Sequence, residues 1–168
     1  MALQRAAYLG VVDPPGDEPT AASASPEVQQ RAAQLAAVTP SPSPVVLAGD
    51  ERAAALHDAL APYVEALVAQ GHEDGLPPVR PLAFRYGDQR ESLDRWDQYL
   101  LGDDLLVAPV TEAGVRERSV WFPPGRWVSI WDHDEVVEGP LEVVVDAPLD
   151  RIPLYVRQGS ELLDLEVP

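Results

Sequence analysis

The spacing of apolar positions changes character near the middle of this chain. Between Asp50 and Gly71, Leu56, Leu60, Val64 and Leu67 recur at helical intervals, and Asp50 stands where an N-cap belongs. Pro62 removes one backbone donor inside that helix, which predicts a kink or a weak point. From Leu105 onward, short apolar runs are divided by Pro and Gly, the pattern of an antiparallel sandwich or meander. Strands are predicted at Leu105–Val110, Val115–Phe122, Trp127–Trp131, Leu141–Val145 and Leu154–Arg157. Val143, Val144 and Val145 form a run without alternation, which suggests a strand covered on both faces.

The stretch from Asp13 to about Asp50 is rich in Pro, Ala and Ser and carries too few large apolar side chains to offset the entropy of ordering. It reads as a linker or disordered tail. Within it, Pro26 to Val38 predicts a short helix, with Ser25 as N-cap and Pro26 at the first helical position. Its apolar face is mostly Ala, so it is expected to bury little. Between the second helix and Leu105, Val79–Phe84 predicts a short strand, although Pro81 is at odds with regular pairing. Arg85 to Asp97 reads as a polar loop with one helical turn, its buried side supplied by Trp96, Tyr99 and Leu100. No internal repeat is visible.

Charge narrows the classes of function. Twenty-eight acidic against 12 basic residues give a formal charge of −16, which argues against nucleic acid and anionic membrane as partners. There is no Cys, so disulfides, thiolate catalysis and Cys-based metal sites are excluded. The glycines form no phosphate loop or dinucleotide fingerprint, and no Gly-x-Ser-x-Gly elbow occurs. The apolar run near Met1 is short and broken by Gly10, a poor signal peptide and no membrane span, so a cytoplasmic location is the default expectation.

Three segments carry a family resemblance in the right order. Val79-Arg80-Pro81-Leu82 is followed by Gln98-Tyr99-Leu100-Leu101-Gly102 and Asp103-Asp104-Leu105-Leu106-Val107-Ala108-Pro109-Val110, and then by Ala147-Pro148-Leu149-Asp150-Arg151-Ile152-Pro153 running to Gly159. Together they resemble the end of the barrel and the adjoining β-domain of family 31 glycoside hydrolases, the retaining α-glucosidase and α-xylosidase group. Pro62-Tyr63 is similar to a Leu-Pro-Tyr step in that family's last major barrel helix. The resemblance covers roughly Arg52 to Leu163. It implies a mainly β fold with an N-terminal helix: a truncated (β/α)8-barrel end of one helix and one strand, followed by an antiparallel β-sandwich-like domain. The implied division is a linker-like tail over 1–49, the barrel remnant over 50–101 and the sandwich domain over 102–168. A lone barrel strand at Val79–Phe84 is expected to dock on the sandwich, recruit another chain or stay mobile.

An eight-stranded α/β barrel needs about 250 residues, more than the 168 present. In the resembled family the nucleophile lies in a Trp-x-Asp-Met-Asn-Glu motif and the acid on a later strand. Neither motif occurs here, so no catalytic, cofactor-binding or metal residue is assigned. Asp94 and Asp97 are three apart and could share a helical face as a separate carboxylate pair, but structural roles explain them more simply. Asp103-Asp104 reads as a turn. Asp132-His133-Asp134-Glu135 carries metal-ligand types, yet contiguous residues rarely converge on one ion, and it reads as a polar hairpin tip. Trp121, Phe122, Trp127, Trp131 and Tyr155 could stack on sugars, and more simply fill a core. Arg151 and Arg157 read as charge partners at the junction. The sequence thus points to a family 31 piece that is inactive alone, with the missing barrel portion or a carbohydrate as partner. A non-catalytic carbohydrate-binding or interaction module is the alternative.

Overall fold

A computed structural model describes residues 25–40 and 50–167. Two helices, α1 (Pro26–Ala37) and α2 (Glu51–Asp74), precede β1 (Val79–Pro81), the short α3 (Leu82–Tyr86) and α4 (Arg90–Leu93), β2 (Tyr99–Leu101), β3 (Leu105–Val107), β4 (Glu117–Ser129), β5 (Val136–Asp146) and β6 (Leu154–Arg157). A 3-10 turn, Glu161–Asp164, follows. The strands form one antiparallel sheet in the order β1-β2-β3-β6-β4-β5. The chain is therefore mainly antiparallel sheet with a few helices.

Alternation along the central strands decides the packing. Tyr99, Leu101, Leu105, Val107, Leu154 and Val156 face α1 and α2, whose Ala33, Ala37, Leu56, Leu60, Val64 and Leu67 complete one core. Leu100, Leu106 and Tyr155, the residues between them, join Leu82, Val120, Trp121, Phe122, Trp127 and Val145 in a second core. Because β2 and β3 are not sheet neighbours of β4 or β5, the far half of the β4–β5 hairpin must lie across their face. The single sheet folds over itself, and this produces the sandwich-like core.

That fold-over is made at a bulge. Phe122 pairs with Leu141 and Gly125 with Gly139, so Pro123 and Pro124 stand opposite Pro140 alone. None of these three prolines has an N–H to leave unpaired, so the ladder is interrupted without losing a donor. The sequence reading split β4 at this point into Val115–Phe122 and Trp127–Trp131, because paired prolines look like a strand end. Instead the strand continues through the bulge, and β5 likewise begins earlier than Leu141. On the N-terminal side of the bulge, β4 pairs with β5 alone among the described residues, and the buried Gln98 amide takes the place of a second strand: it donates to Trp121 O at 2.7 Å and accepts from Trp121 N at 3.0 Å.

Several further expectations are corrected. Val143 and Val145 turn inward while Val144 is exposed, so β5, at the sheet edge, is covered on one face only. The predicted strand Val79–Phe84 stops at Pro81; β1 pairs antiparallel with β2, and Leu82–Tyr86 is helical. Leu105–Val110 shortens to Leu105–Val107. Trp96 is exposed, leaving Tyr99 and Leu100 as the buried residues of their segment. The helix after Asp50 runs past Gly71 to Asp74 and continues through Pro62, ending where Gly75 adopts φ +78°. Its cap is as predicted, with Asp50 Oδ1 accepting from Arg52 N at 3.0 Å and Ala53 N at 3.1 Å.

α1 departs most from expectation. Ser25 caps it and Pro26 opens it as predicted, but it is docked in the core and its inward polar side chains matter most. The buried Arg31 guanidinium donates to the carbonyls of Ala147 (2.7 Å), Pro148 (3.0 Å), Val115 (3.0 Å) and Arg151 (3.3 Å), and to Gln34 Oε1 (3.1 Å). Gln34 donates in turn to Leu149 O at 2.6 Å. The Ala-rich face permits close approach, and Arg31 gathers the carbonyls of a loop that has no strand partner. The remainder of the expected 1–49 tail, residues 1–24 and 41–49, lies outside the described residues.

Two outcomes follow from this packing. Arg31→Leu leaves four backbone carbonyls without their donor and should lower unfolding free energy by about 3 kcal/mol. Urea unfolding measures it, and a loss below about 1 kcal/mol would show that the loop does not depend on the guanidinium. Tyr63, on α2, donates to Leu101 O at 2.9 Å, and burial pushes its hydroxyl up to about 12. Above about pH 10 an unfolded tyrosine loses a proton that folded Tyr63 keeps, so stability should be unaffected below about pH 10 and fall as pH rises toward about 12. Tyr63→Phe should make this alkaline decline shallower. Tyr99 and Tyr155, pushed in the same direction by burial, would maintain the rest. Equal declines in the two proteins between about pH 9 and pH 11 would refute the assignment.

Candidate functional site

Five ionisable side chains, Arg80, Arg85, Asp103, Asp104 and Arg157, gather at the turn between β2 and β3. Gly102 adopts φ +66°, and its N–H donates to Pro78 O at 2.7 Å, extending the β1–β2 ladder by one residue. A Cβ at Gly102 would lie 2.1 Å from the Tyr63 hydroxyl, so the turn and α2 can meet only at a glycine. The next two residues carry the charge. Asp103 Oδ1 receives Arg80 Nη1 at 2.7 Å and Arg85 Nη1 at 3.3 Å. Asp104 faces Arg157 Nε at 3.6 Å and accepts from Ser160 Oγ at 3.2 Å.

Arg157, at the end of β6, ties these pieces together. Its N–H donates to Asp104 O at 2.8 Å, its Nη2 donates to the Tyr86 hydroxyl, and its guanidinium lies 4.6 Å from the centre of the Trp127 ring. Such stacking favours an arginine over a lysine. Arg80 is almost fully buried and also donates Nε to Pro77 O at 2.9 Å. The partners of both carboxylates at this turn are guanidinium groups and a hydroxyl, a geometry that joins the β2–β3 turn to β1, α3 and β6.

The other acidic residues singled out in the sequence are dispersed. Asp94 is the C-cap residue of α4, while Asp97 lies beyond the helix and pairs with Arg118, so their spacing does not put them on one helical face. Burial pushes the Arg118 guanidinium down, and Asp97 opposes that shift. Asp132–Glu135 forms the β4–β5 tip: Asp132 Oδ1 accepts from Asp134 N at 3.0 Å, and Glu135 accepts from the Tyr155 hydroxyl at 2.7 Å. Among the described residues no group of three His, Asp or Glu side chains gathers where a metal ion could sit.

The aromatic candidates sort by burial. Trp121, Phe122, Trp127 and Tyr155 are core residues, with Phe122 and Tyr155 edge to face at 4.7 Å. Trp131 is half-buried and donates Nε1 to Ile152 O at 2.7 Å. Arg157 is a charge partner as expected. Arg151 is exposed, lies 4.0 Å from the carboxylate of its neighbour Asp150 and offers its carbonyl to Arg31. The sequence reading gave no role to Arg31 and Gln34, and named Arg80 and Gln98 only as members of the family motifs. Each is a polar side chain bonded chiefly to backbone or to one distant carboxylate, with Arg31 Nε and Arg80 Nη2 left buried without a partner, and their signal was an inward register among small or apolar neighbours.

No helix among the described residues is long and apolar enough to cross a membrane. Residues 75–162 match the model of the glycosyl hydrolase family 31 C-terminal domain. Alpha-glucosidase 2 of Bacillus thermoamyloliquefaciens is 36% identical over 101 residues, 60% of this chain and 13% of that protein. The sulfoquinovosidase of Escherichia coli is 39% identical over 102 residues, 61% of this chain and 15% of that protein. The solved structure of a family 31 sulfoquinovosidase from E. rectale, in complex with an aza-sugar inhibitor, superposes with a TM-score of 0.72 at 32% identity, covering 83% of this chain and 23% of that one. The chain thus spans less than a fifth of the length of these curated relatives. With the family model matched over more than half its residues, the chain belongs to glycoside hydrolase family 31 and carries that family's C-terminal domain.

Proposed function

We propose that this chain is the C-terminal scaffold of a family 31 glycosidase, serving hydrolysis of O-glycosyl bonds only when joined to a barrel that carries the catalytic carboxylates. The observation behind this reading is the use of its own acids. A retaining glycosidase needs two carboxyl groups about 5–5.5 Å apart, one to attack the sugar and one to protonate the leaving oxygen. Here Asp97, Asp103 and Asp104 each face an arginine, and Asp132 and Glu135 are occupied by a turn and a tyrosine. The Trp-x-Asp-Met-Asn-Glu motif that the family resemblance calls for is absent from the sequence. A stand-alone carbohydrate-binding module is less well supported, since four of the five aromatic candidates fill the core.

The purified chain should show no turnover of aryl α-glucosides, α-xylosides or α-sulfoquinovosides above the uncatalysed rate, read by release of the chromophore. Turnover that disappears in Asp94→Asn or Asp97→Asn protein would establish a separate carboxylate pair and overturn this reading.

A further inference from the structure

We propose that the outer edge of β5 from Glu142 to Asp146 takes up an extended segment of another protein as an added antiparallel strand, with a basic side chain set against Asp146 and an apolar one against Val144. Ala147 N donates to Arg116 O at 2.7 Å, so Arg118–Val145 and Val120–Val143, two and four residues further along, are hydrogen-bonded pairs. Glu117–Asp146, Ser119–Val144 and Trp121–Glu142 alternate with them and are the pairs without ladder bonds. Trp121 agrees with this phase, since its N–H and C=O both turn away from β5 to Gln98. On β5 the same phase turns the N–H and C=O of Glu142, Val144 and Asp146 outward, where β5 ends the sheet.

The same three residues share the uncovered face of the strand: Val144 is 62% exposed, and Glu142 and Asp146 are exposed on either side of it. An open edge with a bare apolar side chain at its middle is a template for strand addition, and no lysine guards it, because the chain has none. Charge selects the partner. Glu117 and Asp146 stand directly opposite each other in a pair without ladder bonds, the closer kind, and like charges there repel. The adjacent Arg116 and Arg118 are turned to Glu27 and Asp97, while Glu142 is already met by Arg95 and Ser119. A cation set against Asp146 would relieve both acids of the opposed pair. A second copy does not supply it, since two β5 strands paired about Val144 would place Glu142 opposite Asp146. Residues 1–24 and 41–49 offer Arg5 alone, against Asp13, Asp17 and Glu18. The cation therefore comes from a different chain.

The probe is the blocked peptide acetyl-Thr-Arg-Thr-Val-Thr-Thr-Thr-amide, titrated into the purified chain and followed by NMR of the β5 amides. Binding should saturate with a Kd of about 1 mM or below and slow hydrogen exchange at Glu142, Val144 and Asp146. N-methylation of the peptide's valine, whose N–H would bond to Val144 O, should weaken binding at least about tenfold. N-methylation of the threonine before it, whose N–H would point away from β5, should change the affinity by less than about twofold. Glu117→Gln together with Asp146→Asn should weaken the unmodified peptide about threefold or more, and both side chains face water, so the fold does not depend on them. Absence of saturable binding, equal weakening by the two methylations, or unchanged affinity in the double variant would each overturn the proposal. A concentration-dependent dimer of the chain alone, with those three amides protected, would also overturn it by giving the edge to a second copy.

Discussion

Three short strands that are apolar on both faces impose the constraint from which the rest of the structure follows. Tyr99–Leu101, Leu105–Val107 and Leu154–Tyr155–Val156 offer no polar side to water, so each needs a cover above and below. A two-layer arrangement would leave one face wet, at roughly 1.5–3 kcal/mol for each large side chain left exposed. The helices α1 and α2 close one side. The other side is closed by the sheet itself, through a hairpin long enough to bend at Pro123 and Pro124 and return across β2 and β3.

Folding a sheet over itself leaves polar backbone in places where no strand arrives, and two side chains answer this need. Gln98 stands in for a missing strand beside Trp121, matching one donor and one acceptor. Arg31 collects four carbonyls from the Val115 and Ala147–Arg151 segments, which carry oxygen acceptors but no ladder. Neither residue contributes much apolar area. Their value lies in removing the desolvation cost of buried backbone groups, which would otherwise amount to about 1–3 kcal/mol for each one left unpaired. Burial lowers the affinity of Arg31 for its proton, yet a guanidinium remains protonated far above neutral pH, so the donors are always available.

How much of this could be read in the sequence depends on the kind of signal. The α2 face, the Asp50 cap and the β6 boundaries were legible because helical spacing, cap chemistry and a short bounded apolar run are local properties. The continuous apolar runs of β2, β3 and β6 reflect coverage on both sides. The similar run Val143–Val145 does not, because β5 ends the sheet and a strand's position in the sheet is set by partners distant in sequence. The β4 bulge was hidden for a related reason: Pro123-Pro124 looks like a terminus unless the opposing residue is known to be a proline as well. The Ala-rich apolar face of α1 signals little burial, while its attachment comes through Arg31 and Gln34. The family motifs contain Arg80, Asp103, Asp104 and Arg157 but could not show that Asp103 and Asp104 are engaged by Arg80, Arg85 and Arg157.

That engagement connects scaffold and chemistry. A carboxylate that serves as nucleophile or acid must keep an approach open to substrate and have its proton affinity set by a neighbouring carboxyl group or by burial. A carboxylate that joins structural elements needs the reverse: cations and hydroxyls fixed around it, with the backbone too close for a ligand to enter. The Gly102 turn has the second character, to the point that even a methyl group would meet Tyr63. Such a joint gains nothing from carrying out a reaction, but it sets where β1 leaves the sheet and how α2 lies against it. If a barrel continues from those two elements, the accuracy with which its own carboxyl pair is held depends on this turn, since a glycosidase centre tolerates little displacement between its two acids.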